Sequence, residues 1–358
     1  MALTIPLVWT DAHRAHDPDV GIWIGVRIPA DELPARAEAI RSALTEVGAP
    51  VVPAEPHSDD ALHAVHDREL VSFLESAWAT WKAAGLPEDP GQKGVVGYIF
   101  PHTGFLAGLP LREPVATAAR TGAYCYDTMT LVGPGTWEAA RAAVDAALTA
   151  ADLVLAGERA AYACCRPPGH HVTRAAFGGS CYLNNSAAAA QYLRDRGVRR
   201  VAILDVDAHH GNGAQAIFWE RADVLTASAH VDPGAGWFPH YLGYAEERGG
   251  GAGEGSNLNI PLAPGSGDEE WVAAVDRLAD AARAHGSEAV VVPLGVDAGE
   301  GDPNAPLAVT EAGFRRAGRS LGALGLPTVL VQEGGYDLTM IGALVRAVLE
   351  GFEEATGS

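Results

Sequence analysis

The chain is 358 residues long, 48% of them hydrophobic, with 45 acidic against 25 basic side chains and a formal charge of −20. That apolar content supports a large buried core and excludes disorder over most of the length. The acid excess argues against a nucleic-acid partner, because phosphate contacts need clustered Lys and Arg. It would attract a cationic substrate, although acidity of this size also serves plain solubility.

The four cysteines, Cys125, Cys164, Cys165 and Cys181, form no C-x-x-C pair and two are adjacent. This suits a reducing compartment better than a disulfide scaffold. The opening stretch MALTIPLVWTDAHRAHD lacks the basic start and long apolar run of a signal peptide. A cytoplasmic protein with no membrane partner is expected.

In chain order, residues 84–122 are Gly- and Pro-rich with little periodicity. A loop of that length in a compact enzyme usually serves function or an interface. From about residue 137 helices and short apolar runs alternate. TWEAARAAVDAALTAADLVL predicts an amphipathic helix; its Ala- and Leu-rich part, 139–156, is interrupted by Arg141, Asp145 and Asp152 and is no membrane span. AAYACC predicts a strand, and NNSAAAAQYLRDRG a helix stopped by Gly197. VAILDVD, DVLTASA, AVVVPLG and PTVLVQ are short runs apolar on both faces, as in a parallel sheet covered on both sides. EEWVAAVDRLADAARAHG and TEAGFRRAGRSLGALG supply the crossover helices, and DLTMIGALVRAVLEGFEEA closes the chain. The fold class is α/β with a mainly parallel sheet flanked by helices, in one domain spanning 1–358.

Ligands of such folds bind outside the carboxyl ends of the strands, and the polar clusters fall there. In ILDVDAHHGNG, Asp205, Asp207 and His209 are two apart and can share a face. Three such groups at an apolar sheet edge are costly unless paired or bound to a cation, and Asp with His suits zinc and other first-row divalent ions. A polar strand end capping the next helix is the bland alternative. A catalytic zinc needs about three protein ligands, and Asp297, after another strand, offers the third; alone it would read as a turn residue. His170 and His171 lie in a Pro- and Gly-rich loop, where histidines are often merely exposed. Near an activated water a His is the usual general base, and a carboxylate on its far nitrogen raises its basicity. Asp205 is the acid left for that task, and Asn212 could serve the other His. Tyr336, after two glycines, is either a turn cap or an oxyanion donor.

RPPGHH, DVDAHHGNG, LGVDAGEGDP and EGGY, in this order, resemble the zinc-dependent histone deacetylase superfamily. FLESAWATWKAAG, GPGTWEAA, FGGSCYLNN and FPHYLGYAEERGGGAGEG extend the likeness over nearly the whole chain, most closely to the bacterial acetylpolyamine amidohydrolases. The resemblance implies the arginase/deacetylase fold and hydrolysis of the amide of a small-molecule N-acetyl or other N-acyl amine. A protein lysine deacetylase, or an inactive ligand-binding homologue, stands as the alternative. It implies one Zn2+ held by Asp207, His209 and Asp297. His170 and His171 would be the paired histidines, with His171 the likelier base and acid; Asp205 and Asn212 would be their partners, and Tyr336 the carbonyl-polarising residue. It further implies one or two structural K+ ions, one using Asp205 and Ser228, the other carbonyls around 218–224. Gly179, Ser180, Phe238 and Trp23 would line the substrate tunnel.

Two departures matter. Ser180 stands where the family usually has an aromatic wall opposite Phe238, which should widen the tunnel for a bulkier substrate. Gly21 and Ala118 stand where the polyamine branch carries acidic residues in its mouth. The branch is also typically a homodimer through its long loop, which would make 84–122 an interface narrowing the site. An arginase-like two-manganese site would need a further Asp at position 299, which is glycine. His210 has no chemistry assigned and is expected to be structural.

Overall fold

The computed structural model describes residues 2–87 and 94–357. Ten strands occur among them: β1 (Leu7–Trp9), β2 (Val20–Trp23), β3 (Val26–Pro29), β4 (Val51–Pro53), β5 (Ala160–Ala163), β6 (Val201–Asp205), β7 (Val224–Val231), β8 (Asn257–Leu262), β9 (Ala289–Leu294) and β10 (Thr328–Gln332). Eight form one sheet in the order β4-β1-β5-β10-β9-β6-β7-β8, and β2 with β3 make a separate hairpin. Every pairing in the large sheet is parallel, so all its strands end on the same edge. The expected mainly parallel sheet is present.

Alternation along the central strands feeds two apolar layers. Ala202 and Leu204 of β6, with Val290, Val292 and Leu294 of β9, join one cluster; Val201, Ile203, Ala289 and Val291 join the other. Side chains at even spacing share a face, so a strand apolar throughout needs helices on both sides. The first layer is covered by α1 (Pro34–Glu46), and by the long helices Asp268–His285, Glu311–Gly322 and Ile341–Thr356. The second is covered by Asp60–Val65, Arg68–Ala83, Thr136–Leu155, Asn185–Asp195 and Asn212–Phe218.

Two expectations change. The closing helix begins at Ile341 rather than Asp337, because the Asp337 carboxylate accepts from the Thr339 amide (2.8 Å) and hydroxyl (2.6 Å) and holds a local turn. The segment 84–122 is less irregular than its composition implies: it contains the helix Thr103–Leu106 and the start of the helix Thr117–Tyr124, and Val95 bridges to Val132. Its residues 88–93 lie outside the described ones. Among the described residues no helix is long and apolar enough to cross a membrane.

The helix Glu311–Gly322 carries glycines, which cost about 1 kcal/mol each in a helix interior relative to Ala. Packing explains them. A Cβ on Gly318 would lie 2.1 Å from the Val348 carbonyl oxygen, and one on Gly351 would lie 2.0 Å from that of Arg315. The last two helices therefore touch backbone to backbone. Gly318→Ala and Gly351→Ala should each lower the unfolding free energy by about 1–3 kcal/mol, as overpacking does. Denaturant titration would show a lower midpoint with unchanged slope.

Candidate active site

Three adjacent strands, β6, β9 and β10, deliver the predicted residues to one sheet edge. Asp205 ends β6, and Asp207 and His209 follow it; Asp297 follows β9; Tyr336 follows β10. His170 and His171 come from the loop after β5. These elements neighbour one another only because the crossovers return each strand parallel to the last.

Donor atoms of Asp207, His209 and Asp297 lie within 4.8 Å of one another. His209 Nδ1 is 3.0 Å from Asp297 Oδ2 and 3.4 Å from Asp207 Oδ1. Its Nε2 lies 3.1 Å from the Asn304 carbonyl, which can only accept, so that nitrogen carries a hydrogen. Both carboxylates are fully buried. Burial raises Asp297, and the charge of Asp207 raises it further. Burial acts against a charged His209, but hydrogen bonds to Asp207 and Asp297 outweigh it and push the imidazole up to about 10. The donor set thus demands a cation: a proton on Nδ1, or a divalent ion that takes its place beside two carboxylates.

The carboxylates are fixed by backbone donors. Asp207 Oδ1 accepts from the His209 amide at 2.8 Å and Oδ2 from the Gly334 amide at 2.8 Å, while Asp297 Oδ1 accepts from the Ala208 amide at 2.9 Å. Gly334 is needed at that approach, since a Cβ would lie 2.4 Å from Asp297 Oδ2 and 2.6 Å from Asp207 Oδ2.

The paired histidine rings lie 3.9 Å apart between centroids, tilted by 40°, but have different partners. His170 Nδ1 is 3.0 Å from Asp205 Oδ2, and its Nε2 3.8 Å from Asp207 Oδ1. Burial opposes its charge, yet Asp207 and Asp205 hold it well above the ordinary histidine value. His171 Nδ1 meets Asn212 Oδ1 at 2.7 Å, and the Asn212 amide donates to the His171 carbonyl at 3.2 Å. Burial, with His170 and His209 beside it, pushes His171 well below the ordinary value. Their surroundings thus shift the two imidazoles in opposite directions. Only His171 faces the adjoining cavity.

That cavity, of ≈ 520 Å³, has His171, His209 and Tyr336 at its floor. Gly179, Ser180, Phe238 and Trp23 all line it. Phe238 packs edge-on against His171 at 4.7 Å, and Ser180, Met129 and Leu131 also line the cavity. Gly21 lines the mouth; Ala118 lies in the helix Thr117–Tyr124, away from it. No described residue of 84–122 lines the cavity in one chain. Asp205 and Ser228 are register neighbours on β6 and β7, and Ser228 Oγ is 2.8 Å from His230 Nδ1. His210 is buried against Gln215 (Nε2 to Oε1, 3.1 Å) and His230, outside the cavity. A Cβ on Gly299 would lie 2.7 Å from Leu344 Cδ1, so that position points into the helix layer and offers no place for a second metal ligand.

The sequence reading missed several supporting residues. Arg36, on α1, donates to the Gly335 carbonyl (2.5 Å), the Glu333 carbonyl (2.6 Å) and Glu32 Oε1 (2.7 Å), with its guanidinium 4.6 Å from the Tyr336 ring centre. Glu333 is fully buried and takes the Gly169 amide (2.6 Å), the His170 amide (3.0 Å) and the Ser186 hydroxyl (3.1 Å). Burial pushes its carboxyl up to about 7. Asp302 takes the Tyr336 amide at 2.7 Å. Glu333 and Asp302 lie inside the singled-out EGGY and LGVDAGEGDP stretches. Only Arg36, 300 positions from the tyrosine, had no local signal.

The histone deacetylase domain matches residues 30–352. The acetylpolyamine amidohydrolase of Mycoplana ramosa is 42% identical over 96% of this chain and 98% of its own length. Histone deacetylase 8 of Arabidopsis thaliana is 35% identical over 71% of this chain and 74% of its own. The crystal structure of acetylpolyamine aminohydrolase from Burkholderia pseudomallei superposes with a TM-score of 0.91 at 39% identity, covering 98% of this chain and 99% of that one. The chain belongs to the histone deacetylase domain family.

Proposed function

We propose that the protein is a zinc-dependent amidohydrolase that removes the acyl group from a small N-acyl amine. The observation that carries this reading is one cavity lined by His171, His209 and Tyr336, with Asp207 and Asp297 buried beside His209 in a single donor set. Its near full-length likeness to acetylpolyamine amidohydrolases supports a small-molecule substrate over a protein one. The two carboxylates and imidazole suit Zn2+, which when bound supplies Lewis-acid chemistry at the floor. His171, neutral and held by Asn212, accepts a proton from water at Nε2 and returns it to the leaving amine. Tyr336 donates its phenol hydrogen to the acyl oxygen as charge develops there; burial pushes that phenol up, so it stays protonated. His170, its imidazole held well above the ordinary value by Asp207 and Asp205, adds a positive field. Asp205 and Ser228 also suit a structural K+, and one sheet through the whole chain suits a single domain.

The test is turnover of N-acetylputrescine beside an acetyl-lysine peptide by purified protein. Hydrolysis should vanish on chelation and return with Zn2+, and Tyr336→Phe should lower kcat by ~10²–10³-fold. No turnover by zinc-loaded protein would overturn the reading in favour of a ligand-binding homologue. A higher kcat/KM on the peptide would favour a protein lysine deacetylase.

Ser180 favours amides bulkier than an acetylpolyamine, because the missing ring removes about 1 kcal/mol of stacking and burial from a slender chain. Ser180→Tyr should shift the kcat/KM ratio of slim over bulky N-acyl amines upward by roughly fivefold. An unchanged ratio would sink the idea.

The homodimer is assigned to 84–122, where Tyr98, Phe105, Leu109 and Val115 expose 70–100% of their surface. Apolar exposure of that extent on one segment marks an interaction face. Light scattering should give twice the 37.2 kDa chain mass, and Phe105→Glu with Leu109→Glu should give the monomer. A monomeric wild-type protein would refute it.

A further inference from the structure

We infer that Asp302 is a positioning residue that joins the metal-facing imidazole to the tyrosine segment through one buried carboxylate. The inference rests on the proposed roles of His209 and Tyr336. Asp302 follows β9 and is buried, 9% exposed, and does not itself line the cavity. Its Oδ2 accepts the amides of Tyr336 (2.7 Å) and Asp337 (3.2 Å), and its Oδ1 accepts that of Asn304 (3.0 Å). The Asn304 carbonyl accepts from His209 Nε2 at 3.1 Å. The chain of contacts therefore runs from the tyrosine backbone, through a single carboxylate, to the hydrogen that decides which nitrogen His209 turns toward Asp207 and Asp297.

The chemistry needs a carboxylate. Three N–H groups converge on two oxygens, and a buried N–H left without an acceptor is strongly unfavourable. An asparagine fills the same space with a single oxygen, and its NH2 would meet an amide donor. Asp302→Asn must then release either the Tyr336 end or the Asn304 end. A carboxylate that only closed its own loop would need no link to both. Outer partners of metal-binding histidines commonly change metal affinity by 10–100-fold.

The experiment compares wild type, Asp302→Asn, Tyr336→Phe and the double variant. In Asp302→Asn, kcat should fall ~10–100-fold with KM within about threefold, and the Zn2+ affinity of metal-stripped protein should fall about tenfold. Amide exchange across 334–338 should speed up. In the Tyr336→Phe background the same substitution should lower kcat by no more than about threefold, because the group it positions is already gone. A full additive loss in that background, or unchanged Zn2+ affinity and exchange, would overturn the inference. If Asp302→Asn does not fold, residue-resolved exchange of wild type decides: the Tyr336, Asp337 and Asn304 amides should be protected, and free exchange refutes the clamp. Zn2+ affinity and exchange need no turnover, so absence of amide hydrolysis would strike the functional reading and leave this one standing.

Discussion

Two carboxylates, Asp207 and Asp297, are held beside one imidazole at the middle of a parallel sheet, fully buried, where their mutual repulsion is poorly screened. The rest of the site answers that constraint. Three backbone amides point at the carboxylate oxygens, and the glycine at 334 lets the β10 strand end approach them. His209 presents its lone nitrogen because the Asn304 carbonyl occupies the other. Such a cluster is expensive without a cation, and the scaffold keeps it intact instead of letting one carboxylate turn to solvent. A site so arranged is organised before any ion arrives.

The same economy of partners explains why two adjacent histidines can do different work. Their rings are in contact and both are buried, so burial alone would lower both. The difference comes from what lies behind each ring. Asp205 gives His170 a full negative charge, and Asp207 adds to it; Asn212 gives His171 only a dipole. Once His170 is positive, it depresses its neighbour further. The neutral imidazole is the one that faces the cavity, where a proton acceptor is useful.

Much of this arrangement was legible in the chain. The five strands read from apolar runs correspond to β5, β6, β7, β9 and β10, because a strand buried on both faces has an unambiguous composition. β8 escaped because its sequence, NLNIPL, alternates polar and apolar residues. Asn257 and Asn259 are nevertheless buried, their side-chain NH2 groups donating to Gln215 and Glu247 from distant segments. β1 and β4 span three residues each, too few for a period to show. At the site, donor types and spacing pointed to the metal cluster and its histidines. Glu333, Asp302 and Arg36 were missed because most of their partners are backbone atoms, which leave no mark in a sequence pattern.

Chemistry and access are built from different parts of the chain. The floor comes from strand ends in the central sheet, whereas one wall comes from residues between 16 and 32, including both strands of the β2–β3 hairpin. That hairpin exposes Trp23, Ile24 and Val26 and has little core of its own. It is anchored just beyond β3 by Glu32, whose Oε1 meets Arg36 at 2.7 Å and Arg166 at 2.9 Å, all three side chains buried. Arg36 in turn holds the carbonyls flanking Gly334, and Arg166 opens the loop bearing the paired histidines. A buried ion triad of this kind contributes little net stability compared with apolar packing, but loss of one member leaves charges stranded. Its use here is geometric: it fixes the base of the hairpin to the two loops that carry Tyr336 and the paired histidines. Residues beyond that anchor, on the hairpin and at Ser180, can change what enters the cavity while the donor set beneath keeps its geometry.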